Sequence, residues 1–180
     1  MIEPSFGISR ILYCILEHNF TIRSASNEAQ NQEEEERICL SIPYHLSPIT
    51  CSVFPLLHSE EFKFFSSQLR DYLQSKAVHC KLDDASQSIG KRYSRADEIG
   101  IPFGITVDHE SLASISALST INSNWESFSA FLDSTVTLRD RDSMEQLRVS
   151  IRSLPLVLLQ LKSNLLSWND LKIQLLVQKQ

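Results

Sequence analysis

With 180 residues, 42% of them hydrophobic and 22% charged, the chain has the make-up of a globular protein and the length to bury a core. Four glycines and six prolines exclude a fibrous repeat or a long low-complexity chain. The net charge of −5 excludes a chain that is basic throughout, yet setting aside the run Glu33–Glu36 leaves only −1, so local basic patches are compatible with it.

Pro4 disfavours helix at Glu3, so the first residues predict an extended lead-in that turns into a helix after Gly7. Ile8, Ile11, Leu12, Ile15 and Leu16 then repeat at the spacing of one helical face. Residues 24–37 lose periodicity and become polar, then acidic, and 24–47 are read as a linker. ITCSVFP, at 49–55, is a short β-prone run bounded by prolines. Ser59 can cap a helix with Glu60 and Glu61 in its first turn and Phe62, Phe65, Leu69, Tyr72 and Leu73 on one face. AVHCKLDD (77–84) predicts a second strand, residues 88–99 a helix, and FGITVD (103–108) a third strand. Such alternation predicts an α/β domain with parallel neighbours joined by crossover helices.

Residues 109–133 are Ser-rich and poorly periodic, and predict a long loop. TVTLRDRD (135–142) alternates, with Val136 and Leu138 on one face and Thr135, Thr137, Arg139 and Arg141 on the other. A return strand is expected over 145–151, then helices over 153–163 and 168–178, the second capped by Ser167.

Self-contained catalytic signatures are missing from the sequence. It has no G-x-S-x-G elbow and no phosphate-binding G-x-x-x-x-G-K-[ST] loop, and its four glycines do not supply a dinucleotide fingerprint. The histidines share no metal-ligand spacing, so no metal site is expected. Cys14, Cys39, Cys51 and Cys80 lie far apart without a C-x-x-C pair and read as buried thiols of a reducing compartment. No cationic segment and apolar run follow Met1, and Lys162, Asn164, Asn169 and Asp170 interrupt the apolar C-terminal stretch, so neither a secretory signal nor a membrane span is expected.

Cations are more informative. On a helical wheel, Ile89, Tyr93, Ala96 and Ile99 share the arc that faces a sheet, while Lys91, Arg95 and Glu98 face water. Arg92 falls inside the apolar arc, where an unpaired charge is costly, and Asp83, Asp84 and Asp108 are its candidate partners. A structural pairing is the favoured reading there, whereas Lys91 and Arg95 divide evenly between a solvated face and phosphate contact. Arg139 and Arg141 stand two apart on a strand and point the same way, which suits a polyanion or, as the favoured reading of the residues alone, a ladder of surface ion pairs.

Two separated segments resemble one family, the eukaryotic-type glycyl-tRNA synthetases, a branch of the class II aminoacyl-tRNA synthetases. EPSFGISRILYCILEH is similar to their third signature motif and the helix behind it. DDASQSIGKRYSRADEIGIPFGITVD and TVTLRDRDSMEQLR are similar to the anticodon-binding domain that follows, in the family's order along the chain. The resemblance implies a strand-helix remnant of a catalytic domain over 1–23, then an anticodon-binding, three-layer domain over 48–180 with a mixed sheet of about five strands.

It also implies roles. Glu3 would accept the ammonium of glycine, with Ser5 beside it and Pro4 shaping the turn. Arg10 would lie against ATP, for which Mg²⁺ is the expected companion, although Ser9 stands where close relatives usually carry glycine. Lys91, Arg92, Arg95, Arg139 and Arg141 become candidates to meet glycine tRNA. The family's first motif, which builds its homodimer, and its second, which grips ATP, have no counterpart before Met1, so this chain alone is not expected to activate glycine. The expected compartment is the cytoplasm, with an organellar form left open. The alternative is a stand-alone tRNA-binding or protein-interaction module.

Overall fold

A computed structural model describes residues 2–23, 37–116 and 131–177 of the chain. The first helix, α1 (Ile8–Asn19), forms where the periodicity placed it. The expected strand before it does not: residues 2–7 are exposed and belong to no sheet. An extended segment becomes a strand only when a neighbour takes its backbone hydrogen bonds, and none of the described residues offers one here. The apolar stripe of α1 is likewise uncovered, with Ile8 79% and Leu12 54% exposed.

β1 (Phe20–Arg23) and β2 (Arg37–Leu40) pair antiparallel, with Arg23 opposite Arg37. The linker expected over 24–47 therefore contains a strand and, at Tyr44–Leu46, a turn of 3-10 helix. Cys39 and Ser47 are buried there, and the Ser47 hydroxyl donates to the Gly100 carbonyl at 3.0 Å. Polarity over 24–36 masked this pairing, because strand formation is decided by a partner distant in sequence. Residues 24–36 themselves lie outside the described residues.

A five-stranded sheet follows, built from β3 (Cys51–Pro55), β4 (Cys80–Leu82), β5 (Phe103–Val107), β6 (Thr135–Asp140) and β7 (Gln146–Ser150) in the order β4-β3-β5-β6-β7. β3 runs parallel to β4 and β5, and β6 and β7 add antiparallel strands, so the mixed sheet is the one expected. The connections are α2 (Glu60–Ser75), between β3 and β4, and α3 (Ile89–Glu98), between β4 and β5. One connection steps outward and the next steps back across β3. Right-handed crossovers then require the two helices to cover opposite faces.

The side-chain layers agree. Phe62, Phe65, Leu69 and Leu73 of α2 join Val53, Phe103, Ile105, Val136 and Leu138 in the main core. Leu154, Leu158 and Leu161 of α5 (Leu154–Lys162) and Trp168 and Leu171 of α6 (Trp168–Val177) complete it. Ser167 caps α6, its hydroxyl donating to Asp170 and accepting the Asp170 N–H at 3.2 Å. On the other face Phe54, Ala96 and Ile101 pack with Ile49, Ile89 and Tyr93. Gly104 lets α3 approach, since a Cβ there would stand 3.3 Å from both Phe54 and Tyr93 ring carbons.

The loop expected over 109–133 begins instead as a helix, α4 (His109–Ser116). Asp108 nucleates it by accepting from the Ser111 N–H and hydroxyl, both at 3.0 Å, so a cap replaces the periodicity the sequence lacks. Residues 117–130 lie outside the described residues; beyond them Phe131 is buried in the main core, stacked on Phe65.

Candidate nucleic-acid interface

α3, the β1–β2 pair and the β6–β7 strands meet around a groove of about 280 Å³. Its lining carries Arg23, Arg37 and Arg139 against one carboxylate, Asp97, with Tyr93 and Gln146 among its other walls. The register that sets Arg23 opposite Arg37 is what brings two exposed-side cations to this mouth. Arg23 reaches the Asp97 and Asp142 carboxylates only at 3.8 Å each and donates to the Asp142 carbonyl at 3.5 Å, while Arg37 is exposed and forms no ion pair among the described residues. Neither arginine stood out in the sequence, where each merely flanks the polar run; the signal was a short β-prone tetrapeptide on either side, FTIR and RICL.

The expected cations separate into two kinds. Lys91 is exposed on α3 beside the groove-lining Gly90, and is without an ion pair among the described residues. Arg95 is half-exposed and gives two bonds from one nitrogen to Asp83, at 3.0 and 2.8 Å. Both face solution, as the helical wheel indicated.

Arg92, Arg139 and Arg141 are buried instead, at 1%, 7% and 1% exposure. Arg139 makes a fork-to-fork pair with Asp97, both bonds 3.0 Å, and its guanidinium lies 4.7 Å from the centre of the Tyr93 ring. Arg141 donates to the carbonyls of Gly100 and Ile42, at 3.1 and 2.8 Å, and to Asp142. The surface ladder expected of these two is therefore corrected to an interior clamp. Arg139 meets α3 through Asp97, and Arg141, just past β6, meets the carbonyls of Gly100 and of Ile42 in the segment after β2.

Arg92 occupies the sheet-facing arc as its position required, but a different partner satisfies it. Its Nη1 donates to the backbone carbonyls of Pro55, at 2.8 Å, and Asp83, at 3.3 Å, rather than to a carboxylate, and its buried Nε has no hydrogen-bond partner among the described residues. Burial pulls its pKa down from the ordinary arginine value, against the opposing pull of the Asp83 charge. These bonds tie the ends of β3 and β4 to α3.

Glu3, Pro4, Ser5 and Arg10 are all exposed around the start of α1. The Arg10 side chain folds back over Gly7, its Cδ 3.6 Å from where a Cβ on that glycine would stand. No cluster of three metal-ligating side chains exists among the described residues. No described helix is long and apolar enough to cross a membrane.

Residues 50–161, which take in every strand of the five-stranded sheet, match the family model described as "Anticodon binding domain". The chain belongs to that family. Its sequence is also similar to curated glycine–tRNA ligases: 38% identical over 172 residues to that of Bombyx mori, 36% over 174 to that of Drosophila melanogaster and 36% over 154 to that of Methanocaldococcus jannaschii. These alignments take in 96%, 97% and 86% of this chain but only 20%, 19% and 21% of the relatives, so the chain spans about a fifth of their length. Within the anticodon-binding domain, α3 and β6 supply Lys91, Arg95 and Arg139, whereas Arg23 and Arg37 stand before the matched residues.

Proposed function

We propose that this chain is the anticodon-recognising part of a glycine–tRNA ligase and that it binds the anticodon arm of glycine tRNA. The observation that carries the reading is the match of residues 50–161 to the anticodon-binding domain, joined to ligase relatives that align along nearly the whole chain. The groove beside α3 supports it. Arg37 and Lys91 are exposed cations free to meet phosphates, and the half-exposed Arg95 can do so with Asp83 holding its orientation. Arg92, Arg139 and Arg141 act on tRNA only through the shape of that face, because all three are buried and their Nη1 atoms are bonded within the protein.

Binding of the whole chain to glycine tRNA, followed by fluorescence anisotropy over a salt series, tests this. Affinity is expected to fall steeply with salt, and Arg37→Ala and Lys91→Ala to flatten the slope of log K against log salt by about 0.7 for each phosphate left unneutralised. Affinity indifferent to salt and to the anticodon sequence would overturn the reading.

In a complete ligase, Glu3, Pro4 and Ser5 are proposed to contribute to the glycine site and Arg10 to the ATP site, with the uncovered stripe of α1 packed against the remainder of the catalytic domain. Arg10→Ala in such an enzyme is expected to slow glycine-dependent ATP–pyrophosphate exchange while leaving tRNA affinity unchanged. Unaltered exchange would remove Arg10 from the site.

A further inference from the structure

Two of the four cysteines are brought together by strand register. Cys51 of β3 and Cys80 of β4 are direct partners across a parallel pair, so both side chains leave the sheet on the same face. Neighbouring strands lie about 4.8 Å apart, inside the roughly 4.4–6.8 Å between Cα atoms that a disulfide spans. The Cys80 thiol donates to the Arg70 carbonyl of α2 at 3.4 Å. Their exposures differ. Cys51 is fully buried, whereas Cys80 is half-buried on the edge strand of the sheet, where a small solute can reach it.

We propose that Cys51 and Cys80 form an oxidation site that takes a hydroperoxide at Cys80 and closes a disulfide between β3 and β4. The division of labour follows from the surroundings. The neighbouring Cys51 favours the Cys80 thiolate and pulls its pKa down, helped by the nearby Arg70 charge, while burial pushes the Cys51 thiol up. The Cys80 thiolate attacks the peroxide: an S–O bond forms, the O–O bond breaks, and the alkoxide or hydroxide leaving group takes up a proton. Cys80 is then a sulfenic acid, and the peroxide has accepted two electrons. Cys51 attacks the Cys80 sulfur, the S–S bond forms, the S–O bond breaks, and the departing hydroxide leaves as water with the Cys51 proton. Two thiols and one hydroperoxide thus give one disulfide, one alcohol (or water) and one water.

Lys162, whose ammonium donates to Thr50 at 3.1 Å and favours the Cys51 thiolate, assists the second step. Cys14, alone and exposed on α1, and Cys39, buried beside Ser41, have no such partner and serve as internal controls.

The test is exposure of the folded full chain to hydrogen peroxide, followed by alkylation and mass spectrometry without reductant. The expected result is loss of two of the four thiols, a linked peptide pair containing Cys51 and Cys80, and recovery of both with dithiothreitol. Cys80→Ser, at a half-buried edge position, keeps the fold and abolishes the linkage. Cys51→Ala leaves a sulfenic acid on Cys80 that dimedone captures, and Cys14→Ser changes nothing. If Cys51→Ala does not fold, Cys80→Ser and the wild-type peptide map still decide. The proposal is overturned if Cys51 and Cys80 stay alkylatable while Cys14 is oxidised, or if Cys80 passes to the sulfinic acid with Cys51 free beside it.

Discussion

Replacing Asp97 by alanine removes the carboxylate that Arg139 pairs with among the described residues. The two residues are each only 7% exposed and share two 3.0 Å bonds, so the variant strands a guanidinium between α3 and β6. Breaking a buried pair from one side costs about 3–5 kcal/mol. The neighbourhood pushes towards the upper end, because Arg23 also points at Asp97 and two cations would then face each other. Arg139→Met is gentler: Asp97 keeps Arg23 at 3.8 Å as a counter-charge, and the methionine stem retains contact with Tyr93, so about 1–3 kcal/mol is expected. The double variant should lose less than the sum, with a coupling of about 2 kcal/mol. Urea unfolding followed by circular dichroism reads all three, and a loss of about 3 kcal/mol lowers the thermal midpoint by roughly 6–12 °C in a chain of this size. A cost below about 1 kcal/mol for Asp97→Ala at an unchanged m-value, or an Arg139→Met cost that exceeds it, would refute the clamp and return Arg139 to the surface reading.

Asp108 gives a pH-dependent prediction. Burial raises its pKa, but bonds from Arg148, the Ser111 N–H and Thr137 outweigh this and hold it below its ordinary value of 3.8. A depressed carboxylate stabilises the fold above its unfolded-state value and loses that contribution as the pH falls through the folded one. Asp108→Asn is therefore expected to lower the urea midpoint at pH about 7, and the gap to wild type to narrow towards pH about 3; a gap independent of pH would sink the argument. Gly100 has φ +78°, and a Cβ there would stand 3.0 Å from Ile42 Cδ1 and 3.3 Å from the Leu40 carbonyl, so Gly100→Ala should cost about 1–2 kcal/mol in the same assay. Conversely, Leu12→Lys on the uncovered face of α1 should change stability by less than about 0.5 kcal/mol in the same assay, since Leu12 is 54% exposed. A large loss of stability there would mean that α1 packs against something the exposure does not reveal.

The α/β alternation was legible because each element carries its own period: Phe62, Phe65, Leu69 and Leu73 mark one face of α2, and ITCSVFP and FGITVD read as strands without any knowledge of their neighbours. Helical wheels also located Lys91 and Arg92 correctly, one outward and one inward. The elements that were missed depend on distant partners. RICL is a strand because FTIR lies opposite it, and α4 starts where Asp108 receives Ser111. Arg139 and Arg141 show the same limit: strand alternation sets which face a side chain takes, but not whether a helix covers that face.

The sequence by itself determined the periodic elements, their order and the resemblance of EPSFGISR and TVTLRDRD to glycyl-tRNA synthetases, since all of these are carried by residues close along the chain. Only the tertiary structure decided which cations are free. Arg37 and Lys91 remain open to solution, while Arg92, Arg139 and Arg141 are held inside by two carbonyls, one aspartate and a mixed set of both. It likewise decided which cysteines meet, since Cys51 and Cys80 are distant in sequence and adjacent only through the β3–β4 register. Local pattern fixes where a side chain points; long-range packing fixes what it finds there.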